Sequence, residues 1–225
     1  MSIQGITEQD IANYLANTRA FFERHAELLG SVQLTSPHGQ RAVSLQERQM
    51  EMLRERLKGL EQKIMEMIRN GQDNVAIADR LHRFKRALML TADAAALPAV
   101  LVDEAMHQFL IPQAGLRLWG VAPAFAGLPV AQPVGDDAKS FATSLAQPYC
   151  GANAGFEAAR WLGEPAGIAS LALIPLRHAA GAPAFGMLVL GSPDPTRYAA
   201  DMGTDFLARI GEVASAALSR LLPAQ

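Results

Sequence analysis

From Met50 onward the chain sets apolar side chains at Leu53, Leu57, Leu60, Ile64 and Met67, at spacings of 3, 4, 3, 4 and 3. Such alternation is a heptad seam, a narrow apolar stripe on one helix that a second helix covers. Ser44 followed by Glu47 supplies a capping box to start that helix. No proline interrupts it between Pro37 and Pro98. Near Asn70-Gly71 the register slips. The 3–4 spacing then resumes from Met67 through Asn70, Asn74, Ile77, Leu81, Phe84 and Leu88. A slip changes the supercoil locally, and polar seam residues fix register at some cost in stability. A helix this long has too few neighbours in one chain to bury so narrow a seam. The expectation is therefore a homodimer in which Leu53, Leu57, Leu60, Ile64 and Met67 carry the contact. Packing on the flanking parts of the same chain is the alternative, and the two ends of the helix can differ in this.

On either side of that helix the pattern changes. Thr7 with Asp10 can cap a short helix carrying Ile11, Tyr14 and Leu15, and Thr18 a second one with Phe21, Phe22, Leu28 and Leu29, closed by Gly30. Ser36-Pro37-His38-Gly39 reads as a loop, with His38 clipping it to the next helix. After Thr91 the chain becomes rich in Ala, Gly and Pro. Residues 92–110 read as a helix and 116–121 as a strand. Residues 168–176 and 184–191 are two apolar runs joined by a His178–Pro183 turn, hence an antiparallel hairpin. Residues 202–222 carry a stripe of period 3.6. The order predicts an α+β layer: an antiparallel sheet flanked by helices, preceded by the long helix. The expected organisation is an N-terminal helical segment over 1–40, a dimerising helix over 41–91 and an α+β domain over 92–225.

Charge is uneven. Residues 41–90 hold eleven Lys or Arg against seven acids, while the rest hold nine against fifteen. A mixed, solvated helix surface accounts for the basic stretch, where Phe84 is the only aromatic. A nucleic-acid partner is disfavoured by the overall charge of −2, though left open. The start has no basic, apolar signal segment, and no apolar run is long enough to span a bilayer. The single cysteine, Cys150, forbids an intrachain disulfide. The expectation is a cytoplasmic chain with no membrane partner.

Several residues carry a family resemblance. Ser170-Leu-Ala-Leu-Ile-Pro-Leu176, Phe185-Gly-Met-Leu-Val-Leu-Gly191 and the terminal helix resemble the second half of a GAF domain. Phe21-Phe22, His25, Glu27-Leu28-Leu29, Pro37-His38-Gly39, Ala42–Leu45, Glu47-Arg48-Gln49 and Gly203–Leu207 add to this. Together they resemble the bacterial family DUF484 over nearly the whole chain. One departure is Thr18-Arg19-Ala20, where the family tends to have a proline. The resemblance implies a helical N-terminus before a GAF-like domain. It also implies gene neighbours that include a site-specific tyrosine recombinase. It implies no activity and no cofactor.

No catalytic or metal-binding constellation is legible. Cys150 lacks a nearby base in sequence, and the five histidines are scattered, none three or four residues from another. No phosphate-binding glycine motif occurs. In GAF-like folds the middle segment covers the sheet face opposite the terminal helices. Here that segment, about residues 123–165, offers Phe141, Tyr149, Cys150, Asn153, Phe156 and Trp161 as a pocket lining for an unidentified small molecule. Arg177 could face an anion. The expected role is a non-catalytic, homodimeric GAF-like regulatory or adaptor protein with a small-molecule or protein partner. The alternative is a nucleic-acid-associated accessory protein that acts with a recombinase through the basic helix.

Overall fold

The computed structural model describes residues 6–18, 20–31, 45–179 and 181–223, with side chains for all of these except 29–31 and 45–48. The Pro37-His38-Gly39 loop and the Ser44 cap lie outside them. Two compact units make up the chain, residues 1–63 and 64–225, and the division falls inside one helix.

The first unit holds α1 (Glu8–Asn17), α2 (Ala20–Arg24), α3 (Ala26–Ser31) and the start of α4 (Leu45–Leu90). The Thr7 capping box is complete: its side chain accepts from the Asp10 N–H, and the Asp10 carboxylate accepts from the Thr7 N–H. That pairing holds the Asp10 carboxyl below the usual carboxylate range. Phe21 is edge-on to Tyr14 and Phe22, with ring centroids 5.9 and 5.3 Å apart. Yet no described side chain of this unit is buried. Among the described residues these elements have apolar faces and form no buried core.

The second unit is the α+β layer. After α4 come a 3-10 turn at Ala94–Ala96, α5 (Leu97–Phe109), β1 (Gln113–Leu118), α6 (Asp136–Ser144), β2 (Tyr149–Ala152), β3 (Ser170–Leu176), β4 (Gly186–Ser192) and α7 (Asp205–Leu218). The sheet order is β1-β4-β3-β2, and every neighbouring pair is antiparallel. The β3–β4 hairpin closes as expected, with Ser170 opposite Ser192 and Leu176 opposite Gly186. The first strand starts at Gln113 rather than at Leu116. The polar-looking Gln113-Ala-Gly stretch qualifies because it pairs with the buried β4, in register Gln113 to Gly191.

Both sheet faces are covered, which is why β3 and β4 read as continuous apolar runs. One face, with Leu116, Leu118, Ala172, Ile174, Leu188 and Leu190, packs against α5, α7 and the end of α4. The other, with Leu171, Leu173, Met187 and Val189, lies under α6 and the 3-10 turns around 157–168. Gly211 brings α7 down on β3: a Cβ there would stand 2.6 Å from Ile174 Cγ2.

The last turns of α4 belong to this core. Leu81, Phe84 and Leu88 are buried in it. Phe84 packs on Phe109 at 5.5 Å between centroids, and Phe109 on Phe206 at 5.1 Å. Arg83 Nε donates to Gln108 Oε1 at 2.9 Å. The three residues are the last members of the 3–4 series, so the resumed register faces the domain.

Candidate functional site

Two-residue alternation along β2 decides which pocket residues meet. Tyr149 points to the sheet face under α6, and Cys150 to the opposite face, among the helices. Phe141 from α6 and Phe156 from the loop after β2 close on Tyr149. Centroid distances are 6.4 Å for Phe141–Tyr149, 5.6 Å for Phe141–Phe156 and 5.3 Å for Tyr149–Phe156. Beside this aromatic triad lies a cavity of about 280 Å³, floored by Leu173 and Met187 and walled by Phe141 and Phe156. Asp137 and Glu157 stand at its rim. Glu157 Oε1 accepts from the Gly135 N–H at 3.1 Å, at the start of α6. The cavity can hold a small body with an apolar part, and its two carboxylates disfavour an anion.

The other candidates take different places. Trp161 shares the same apolar cluster but lines a separate hollow of about 290 Å³ beside β1. There the Arg117 guanidinium lies 5.9 Å from its ring centroid. Asn153 is engaged in backbone: Nδ2 donates to Ile168 O at 3.1 Å, and Oδ1 accepts from the Gly155 N–H at 3.2 Å. Burial pushes the Cys150 thiol pKa up, away from the thiolate a nucleophile needs. Its neighbour Tyr198 is likewise pushed up by burial. The His178 ring lies against Phe185, with centroids 5.0 Å apart and the planes tilted by 42°. Among the described residues no group of three His, Cys, Asp or Glu could hold a metal.

Arg177 is engaged with backbone on two helices. Its Nη2 donates to the carbonyls of Ala142, Thr143 and Leu145 at 2.8, 2.8 and 2.7 Å, closing the C-terminal end of α6. Its backbone N–H donates to Ser215 Oγ on α7 at 3.0 Å. Two more arginines do the same work. Arg197 Nη2 donates to Phe109 and Leu110 carbonyls at the end of α5. Arg220 donates to Thr91 O and Ala92 O, just past the end of α4, at 3.0 and 2.7 Å. A guanidinium suits this position, where unpaired carbonyls gather at the negative end of the helix dipole. The last turns of α4 and α6 have no basic residue of their own.

Sequence reasoning missed Asp137, Glu157, Leu173 and Met187 as cavity residues. Leu173 and Met187 were readable as strand residues, and their face follows from β-strand alternation once Tyr149 is placed.

The family model described as "Protein of unknown function, DUF484" matches residues 1–222. The chain belongs to that family. Among curated proteins nothing matches. Solved structures similar to this DUF484 chain include the GAF domain of a putative sensor histidine kinase from Pseudomonas syringae pv. tomato. It is 17% identical, covers 68% of this chain and 92% of its own, and has a TM-score of 0.44. Another is the GAF domain of an Acinetobacter phosphoenolpyruvate-protein phosphotransferase, at 14% identity, 64% and 92% coverage and TM-score 0.42. A third is the free methionine-R-sulfoxide reductase of Neisseria meningitidis in complex with its substrate, at 12% identity, 64% and 88% coverage and TM-score 0.41. At such identities and scores these likenesses say nothing of ligand or activity. Among the described residues no helix is long and apolar enough to cross a membrane.

Proposed function

We propose that this DUF484 chain is a non-catalytic, homodimeric regulatory or adaptor module. In it α4 joins two subunits, and the GAF-like domain offers a small-molecule pocket beside Phe141, Tyr149 and Phe156. One observation carries the reading. The helix whose last turns are built into the domain core presents six seam residues upstream, Met50 to Met67, that are 52–72% exposed in the single chain. Such a stripe costs free energy in water, and a second copy of the same stripe is the simplest cover. The pocket part rests on the cavity's apolar floor and aromatic wall. Its carboxylate rim favours a neutral or cationic ligand over a phosphate.

Native mass spectrometry of the intact protein tests both parts. The expected spectrum shows a dimer, and a bound small molecule whose retention falls when Phe156→Ala opens the cavity wall. A monomer at micromolar concentration would sink the dimer. A dimer that retains no small molecule, even from a metabolite extract, would leave the module as a protein-binding adaptor without a ligand.

A further inference from the structure

The dimer proposed above leaves the direction of the two helices open, and the charges flanking the seam decide it. Met50, Leu57 and Ile64 occupy the a positions, and Leu53, Leu60 and Met67 the d positions. The flanking g positions are then Gln49, Arg56 and Lys63, and the e positions Arg54, Glu61 and Ile68. Arg56, Glu61 and Lys63 are solvent-exposed, and among the described residues none makes an ion pair.

In a parallel pair each g residue faces the e residue of the next heptad on the other helix. Arg56 then meets Glu61 of the second copy, twice by symmetry. The remaining contacts are Gln49 with Arg54 and Lys63 with Ile68, with no like charges opposed. In an antiparallel pair g faces g and e faces e. With the six seam residues fully overlapped, Met50 sits opposite Met67, Leu53 opposite Ile64 and Leu57 opposite Leu60. Arg54 meets Glu61 there, but Arg56 meets Lys63, also twice. The antiparallel pair therefore sets two repulsive contacts against its two attractive ones, and the parallel pair has two attractive contacts and no repulsive one. Leu at two of the three d positions, with Ile64 at a, also suits two strands.

We infer that two copies of the chain pair through residues 50–67 of α4 as a parallel, in-register, two-stranded coil, with Arg56 bridging to Glu61 of the second copy. This rests on the homodimer reading. It places both GAF-like domains after the same end of the coil, so a change in one domain acts on a helix pair that the other domain shares.

Cysteine cross-linking of the full chain tests the direction, with Cys150→Ala removing the native thiol. In the parallel pair Leu53→Cys and Met67→Cys each bond to their own copy under mild oxidation. In the antiparallel pair position 53 lies about 16 Å along the axis from its copy, at 1.5 Å per residue. Neither variant then self-links, while a mixture of Leu53→Cys and Ile64→Cys chains does. That second pattern, in a protein that still sediments as a dimer, overturns the direction and leaves the dimer standing. A monomeric wild type overturns both, as does a seam covered by the chain's own N-terminal segment.

A charge change gives a readout of opposite sign. Arg56→Glu opposes two pairs of acids in the parallel coil and weakens association about tenfold. Adding Glu61→Arg restores it. In the antiparallel coil Arg56→Glu relieves the clash with Lys63 and tightens association, so a tighter Arg56→Glu dimer contradicts the parallel assignment.

Discussion

Leu57 and Leu88 sit in the same helix, each in a run of 3–4 spacing, yet the first is 59% exposed and the second 3%. The difference lies in what each stretch has beside it. Around Leu88 the chain supplies Phe109, Phe206 and the helical face of the sheet. Around Leu57 the described part of the chain supplies no cover. A heptad spacing thus states that a face requires cover and leaves the identity of the cover to the neighbourhood. The slip at Asn70-Gly71 lies between the two fates. The later stretch is built into the domain core, with Leu81, Phe84 and Leu88 buried there.

If the two stretches are energetically separate, changes in the domain should alter its unfolding and leave self-association alone. The largest effect is expected from Phe84→Ala, which empties a fully buried position. It should cost about 3–5 kcal/mol in denaturant unfolding of the domain. Its dimer dissociation constant, measured below the onset of unfolding, should not change. A large rise in that constant would mean that the seam and the domain are coupled. Arg177→Met leaves three carbonyls at the end of α6 without their shared donor. A loss of about 2 kcal/mol is expected, again with association unchanged. Arg220→Met probes the junction itself, since its two acceptors are the carbonyls that follow α4. This site is exposed, and about 1 kcal/mol is expected. Hydrogen exchange should rise at residues 84–92 and not at 50–67. The last effect has the opposite sign. Leu110 ends α5 at φ 54, a left-handed conformation that costs a branched side chain. Leu110→Gly should raise stability by about 1 kcal/mol, read as a higher thermal midpoint.

The β3–β4 hairpin was legible because two long apolar runs flank a glycine-proline turn, and both strands are buried on both faces. The terminal helix was legible from its stripe, with Leu207, Ile210, Ala214 and Leu218 buried where the period puts them. The strand β2 was not. Its four residues carry no resolvable alternation, so Tyr149 and Cys150 could not be sent to opposite faces in advance. The helix α6 escaped notice because it is short and polar and buries only Ala142. Among the site residues, the aromatic set Phe141, Tyr149 and Phe156 was visible as a composition, and the structure brings it together. Arg177 was visible as a residue but not as a cap. Its acceptors lie 32–35 positions away, and no local pattern marks such a contact.

Sedimentation equilibrium of the full chain beside the double variant Leu57→Asp/Leu60→Asp addresses the central division of labour most directly. The wild type should sediment at twice the 24.1 kDa chain mass at micromolar concentration. The variant should sediment as a single chain whose domain unfolds at the wild-type monomer's denaturant midpoint. A monomeric wild type, or a variant that stays dimeric, would contradict the assignment of residues 50–67 as the subunit contact.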